Sequence, residues 1–367
     1  MNAGNRWRAY ARSDFSHSPL LVFYEMTQAC DLACTHCRAC AQSRAHPGEL
    51  DTASARRLID QLTEFPKTPM LVMTGGDPLK RHDVYELIEY AANAGIEVSI
   101  TPAATPLATH GAIRRLRGVG VSRLAVSIDG PDAATHDGLR GVAGSFQRTL
   151  DILDDARELQ ISTQVNTVVT RVNRHQIANM AELLAGESIA LWSVFFLVPV
   201  GRAATSYCLS AEQCEQVFAE LWRQTQRQPY LIKTTEAPHY RRYVLQRQRE
   251  LHGSSGKPKR NAARPQRPPM GLNDGRGVMF VSHTGLIYPS GFMPILCGIF
   301  PQQPLVRVYQ ESLIFRGLRD TNRLEGKCGV CEFRSICGGS RARAYALTED
   351  PFAQEPTCAF VPLSFSG

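Results

Sequence analysis

No run in the 367 residues approaches the ~18 consecutive apolar positions of a membrane span. The amino-terminal stretch MNAGNRWRAYARSDFSHSPL also lacks the apolar core of a secretory signal. On these two absences a cytoplasmic chain with no membrane partner is the expectation. No large excess of one charge is present either. The net charge is +7, part of it in GKPKRNAARPQRPP (256–269), which reads as a solvated linker and not as a nucleic-acid surface. A chain of this length, 43% hydrophobic and 20% charged, has room for one large globular domain and a smaller one.

What is plentiful is cysteine, at eleven residues. Reducing cytosol disfavours disulfides, and clustered cysteines there more often bind metal. Four of them fall in QACDLACTHCRACAQ (28–42), directly after an apolar run.

Six short apolar runs read as buried strands: 19–27, 69–74, 95–102, 121–128, 161–170 and 190–200. Amphipathic stretches at 52–64, 82–93, 108–117, 144–158, 173–185 and 210–227 alternate with them and read as helices. Strand–helix alternation with continuously apolar strands implies an α/β fold with a parallel sheet covered on both faces. Right-handed crossovers curl such a sheet toward a partial TIM-type barrel, with its site at the carboxyl ends of the strands. A doubly wound open sheet fits the same pattern. Residues 275–291 alternate around Thr284-Gly285 as a hairpin and open a smaller, helix-poor region. The expected organisation is an extension at 1–18, the barrel at 19–228, a bridging segment and basic linker at 229–274, and the smaller domain at 275–367.

Cys30, Cys34 and Cys37 have the spacing CxxxCxxC on the loop after the first strand. Three thiolates can hold three irons of a [4Fe–4S] cube and leave the fourth iron open, as chemistry at a metal requires. Cys40, Cys208 and Cys214 read as small buried thiols, while Cys297 is left open. A second set, Cys328, Cys331, Cys337 and Cys358, can close either a [4Fe–4S] or a zinc site, and spacing does not decide between them.

With these pieces in place the sequence resembles the radical S-adenosylmethionine (SAM) enzymes, over nearly its whole length. The resemblance implies a partial (β/α)6 barrel whose cysteine loop holds the SAM-binding [4Fe–4S] cluster, with His36 packing near the cofactor. MTGGDP (73–78) matches the family's glycine-rich motif, so Gly75, Gly76 and Asp77 are implied at the SAM amino group, with Asp77 where most members have Glu. Ser127 and Asp129 in SIDG are implied at the ribose or carboxylate side, and Arg140 in HDGLRGVAGSF at the carboxylate. The second cysteine set is similar to the auxiliary-cluster end of SPASM and twitch extensions, which favours a second [4Fe–4S] cluster over zinc. Ser290 and Arg341 stand where a further cluster would need cysteines, so one auxiliary cluster is implied.

The activity so implied is one-electron reductive cleavage of SAM to a 5′-deoxyadenosyl radical that takes a hydrogen from the substrate, with an electron donor such as flavodoxin or ferredoxin. CTHCRA, TGGDPLKR, VPVGRA and FVSHTGLIYPSGF are most similar to the branch that matures haem and haem d1 by acting on tetrapyrrole propionates. Maturases of ribosomally made peptides are the alternative, although only about twenty residues precede the first strand, where such enzymes often carry a leader-binding domain. An electron-transfer protein without catalysis would not need the SAM-binding pieces. His283 could ligate a haem iron or contact substrate, but a hairpin histidine is more often a surface or turn residue.

Overall fold

The computed structural model describes residues 10–252 and 271–365. The basic segment 256–269 lies outside them. One ten-stranded sheet organises the chain, in the order β10-β9-β8-β1-β2-β3-β4-β5-β6-β7. Strands β1 (Leu21–Glu25), β2 (Met70–Thr74), β3 (Val98–Ile100), β4 (Arg123–Ser127), β5 (Thr163–Val169), β6 (Leu191–Phe196) and β7 (Leu231–Thr235) are all parallel to their neighbours. On the other side of β1 lies β8 (Val278–Val281), also parallel, followed by antiparallel β9 (Leu286–Tyr288) and β10 (Gly298–Ile299). The sheet is open, ending at β7 and β10, which is the partial barrel of an α/β fold.

The expected crossover helices form as α1 (Thr52–Thr63), α2 (Val84–Asn93), α3 (His110–Gly118), α5 (Ser145–Glu158), α6 (Ile177–Gly186) and α7 (Ala211–Arg227), with a short α4 (Ala133–Arg140) before α5. Local chemistry starts them. Asp51 accepts from Ser54 N at α1, and Ser210 and Gln213 close a capping box at α7. Val22, Tyr24, Leu71, Met73, Val98, Leu124, Val126 and Val165 pack with Leu58, Leu87, Ile113, Ile152 and Met180 of the helices in one core. Each such side chain contributes roughly 1.5–3 kcal/mol on burial.

Several elements escaped the sequence reading. The segment expected to bridge, 229–252, holds β7 and α8 (His239–His252). Every residue of β7 is only half-buried, and α8 is rich in Arg and Gln, so neither shows the apolar signal that marks a buried element. The 275–291 hairpin forms around Gly285, whose φ is +85°, but its first strand pairs with β1 and is part of the barrel sheet. Beyond it the region expected to be helix-poor holds four short helices among the described residues, α9 (Leu305–Glu311), α10 (Leu313–Arg319), α11 (Gly326–Val330) and α12 (Arg341–Thr348), each of eight residues or fewer and so too short to show a clear helical period in sequence.

Candidate active site

The cysteine loop crosses the carboxyl ends of the strands and is fastened by backbone hydrogen bonds on three sides. Gly76 N and Asp77 N, after β2, donate to Thr27 O (2.8 Å) and Ala29 O (2.7 Å). Ala33 N and Thr35 N donate to Arg140 O and Leu139 O at the end of α4, and Arg202 N, after β6, donates to Cys37 O at 3.0 Å. Glycine is required where main chain meets main chain this closely. A Cβ on Gly76 would lie 2.3 Å from Ala29 O, and one on Gly201 (φ +67°) 2.4 Å from Arg38 O. TGGDP and VPVGRA thus brace the cysteine loop from two sides.

Cys30 and Cys34 are buried and Cys37 half-buried, packed with Leu32, Ala41, Ala103 and Val142. Leu32 N points at Cys30 Sγ and Ala41 N at Cys37 Sγ, both at 3.4 Å, and Arg140 Nη1 at Cys34 Sγ at 3.8 Å. Burial pushes the Cys30 thiol up to about 11, so only a positive centre beside it would stabilise its thiolate at neutral pH. Cys40 takes the loop through φ +47° and offers its carbonyl to Gln42.

Next to this loop, Asp129 at the end of β4 is fully buried. Its Oδ2 meets Arg140 Nη2 at 2.7 Å and His36 Nε2 at 3.3 Å, and its Oδ1 accepts from Val168 N at 2.8 Å. Burial opposes the charge, but Arg140 and His36 outweigh it and hold the carboxyl well below the usual carboxylate range. His136, pushed down to about 4 by burial, is neutral and accepts Asp129 N through Nδ1. His36 Nδ1 and Arg140 Nε are buried with no hydrogen-bond partner among the described residues. Two donor-capable groups beside the cysteine loop are therefore left unspent.

Asp77 is placed differently from Asp129. Its Oδ1 accepts from Leu79 N and Ala103 N and its Oδ2 from Thr105 Oγ1 (2.7 Å), so its carboxylate ties the β2 loop to the loop after β3. Burial raises its pKa in spite of these bonds. Ser127 lies half-buried at the end of β4, opposite Asn166.

The four distant cysteines, Cys328, Cys331, Cys337 and Cys358, line a single cavity together with His239, Arg242, Lys327, Arg334 and Glu355. Backbone N–H groups again point at sulfur: Phe333 to Cys331 (3.4 Å), Gly339 to Cys337 (3.4 Å) and Glu355 to Cys328 (3.3 Å). Arg341 is buried behind Cys328, donating to Pro351 O and Ala353 O, while Ser290 accepts from Phe292 N. Arg343 pairs with Glu355 at 3.2 Å and donates to Phe196 O, which joins this cavity to the end of β6. Cys208 and Cys214 are buried as expected, and Cys297 is half-buried, its thiol pushed up to about 11 by burial.

A third cluster has no counterpart in the sequence reading beyond His283. Buried Glu25, the last residue of β1, takes Arg38 Nη2 on Oε1 (3.0 Å) and His283 Nδ1 on Oε2 (2.7 Å). Arg38 directly follows Cys37 and lies 4.7 Å over the Phe280 ring. The available signal was a glutamate ending an otherwise apolar strand and therefore facing the site.

Comparison with known proteins gives the family. The radical SAM superfamily profile matches residues 24–184. The AdoMet-dependent heme synthase of Nitratidesulfovibrio vulgaris is 38% identical over 95% of this chain and 94% of its own. The PqqA peptide cyclase of Rhodopseudomonas palustris is 26% identical over 94% and 88%. Streptococcus suis SuiB bound to S-adenosylmethionine shares the fold, with a TM-score of 0.69 and 16% identity over 94% of this chain and 78% of SuiB. The chain belongs to the radical SAM superfamily, and membership implies an enzyme with a [4Fe–4S] cluster and SAM. Among the described residues no helix is long and apolar enough to cross a membrane.

Proposed function

We propose that the chain makes haem, or a haem precursor, by modifying propionate side chains of a tetrapyrrole in the cytoplasm. The observation that carries this reading is the 38% identity to a haem synthase over 95% of the chain, against 26% to a peptide cyclase over 94% of it.

Cys30, Cys34 and Cys37 would hold the SAM-binding cluster. Their fit rests on an all-thiol donor set with N–H groups aimed at sulfur. When bound and reduced by a donor such as flavodoxin or ferredoxin, the cluster supplies the electron that cleaves SAM and starts hydrogen abstraction.

The chain's own residues position and shield. Arg140 and His36, fixed by Asp129, present cationic and polar atoms to the SAM carboxylate and ribose, with Ser127 beside them. The Gly75-Gly76 backbone offers polar groups to the amino end. Asp77 acts through the loop it organises and not by direct contact. Cys328, Cys331, Cys337 and Cys358 would hold one auxiliary [4Fe–4S] cluster, with Arg242, Lys327 and Arg334 balancing its charge.

Anaerobically reconstituted protein supplied with SAM, dithionite and iron coproporphyrin should release 5′-deoxyadenosine and a porphyrin of lower mass that has lost carboxyl groups. An unchanged porphyrin, with a candidate peptide modified in parallel, would reassign the substrate.

A further inference from the structure

We propose that His283 is the axial ligand to the iron of a metalloporphyrin substrate, an inference that rests on the haem reading above. The turn 282–285 follows β8, which runs parallel to β1 with Val281 opposite Tyr24. His283 therefore emerges at the same sheet end as Glu25, beside the cysteine loop. Its main chain is held by Leu50 N, which donates to His283 O at 2.8 Å.

The ring is fixed as firmly as the main chain. Glu25 can only accept, so the proton of a neutral His283 ring resides on Nδ1 and the lone pair on Nε2. Nε2 has no hydrogen-bond partner among the described residues, and the side chain is 14% exposed. A histidine whose second nitrogen donates to a buried carboxylate is the arrangement that orients metal ligands and raises their basicity.

A porphyrin brings four nitrogens to its iron and needs only an axial donor. The surroundings suit the rest of such a ligand. Phe280 and Tyr288 stack at 6.2 Å, His46 packs edge-on to His283 at 5.5 Å, and the Arg38 guanidinium, paired with Glu25 and lying over Phe280, adds a cation to this aromatic wall.

The test uses the full-length, cluster-loaded protein without SAM, titrated with iron coproporphyrin and, separately, with metal-free coproporphyrin. Wild type should shift the Soret band and show an iron–imidazole stretch by resonance Raman in the ferrous complex. His283→Ala should lose both while still binding metal-free coproporphyrin like wild type, which a merely misfolded variant would not do. Glu25→Gln should weaken iron porphyrin binding about 10-fold while binding metal-free porphyrin like wild type. If His283→Ala keeps the wild-type spectrum, or if His46→Ala is the variant that loses it, the assignment is wrong. Wild type that binds both porphyrins with no iron–imidazole band overturns the ligation alone. Failure to bind either porphyrin overturns the haem reading itself.

Discussion

The buried pair Arg81–Asp83 holds the two loops that meet at the cysteine site, and its removal has a calculable cost. Arg81 Nε and Nη2 reach Asp83 Oδ1 and Oδ2 at 2.6 and 2.9 Å, in a bidentate pair whose residues are 8% and 4% exposed. Arg81 Nη1 also donates to Met26 O just beyond β1 (3.0 Å), and Asp83 accepts from Thr52 Oγ1 of α1 (2.7 Å). Breaking one partner of such a pair strands the other charge, at about 3–5 kcal/mol. Asp83→Asn keeps an acceptor for Thr52, so its cost belongs at the lower end, about 3 kcal/mol. At about 2–4 °C per kcal/mol this is a fall in Tm of about 6–12 °C, read by circular dichroism. The double variant Arg81→Met/Asp83→Asn should cost at least about 1 kcal/mol less than the sum of the singles. Burial opposes ionisation of Asp83, but hydrogen bonds from Arg81 and Thr52 outweigh it and lower its folded pKa. The pair's contribution is therefore complete above the unfolded value of about 3.9 and is lost as pH falls through the folded value. The Tm gap between wild type and Asp83→Asn should accordingly stay constant from neutral pH down to about 4 and narrow only below it. A Tm change under about 2 °C, or strictly additive singles, would refute this account of the pair.

Gly76→Ala drives a Cβ against Ala29 O and should cost about 1–3 kcal/mol, with iron lost selectively from the first cysteine set in a metal assay. Cys34→Ala should abolish reductive SAM cleavage, whereas Cys40→Ala should leave it largely intact, measured as 5′-deoxyadenosine released in dithionite. Cys331→Ala, provided circular dichroism and gel filtration look native, should keep that release and lose porphyrin product; full turnover would make the second cluster purely structural.

The parts of the fold that announced themselves in sequence were those with one dominant signal. Runs such as PMLVMT and VSRLAVSI are short and apolar with no polar alternation, so β2 and β4 were legible although alternate residues of β2 are only half-buried. The half-buried β7 and the Arg-rich α8 were not, because tertiary contacts and not composition place them. The cysteine spacing and the SIDG and TGGDP pieces fall on loops that the structure brings together, yet individual roles depend on contacts that sequence does not display. Asp77 looked like a ligand residue and is engaged by Thr105 and two backbone N–H groups. Gly76 looked like a point of ligand approach, but it is also the point where the Ala29 carbonyl approaches. Glu25 and His283 are 258 positions apart, and only the pairing of β8 with β1 brings them together.

The central claim is that this enzyme takes hydrogen from a tetrapyrrole propionate, and isotope transfer tests it most directly. Iron coproporphyrin deuterated in its propionate methylenes is incubated anaerobically with reconstituted enzyme, SAM and dithionite, and the 5′-deoxyadenosine is analysed by mass spectrometry. The account predicts deuterium in 5′-deoxyadenosine in step with loss of carboxyl groups from the porphyrin. Unlabelled 5′-deoxyadenosine beside an unaltered porphyrin would contradict it.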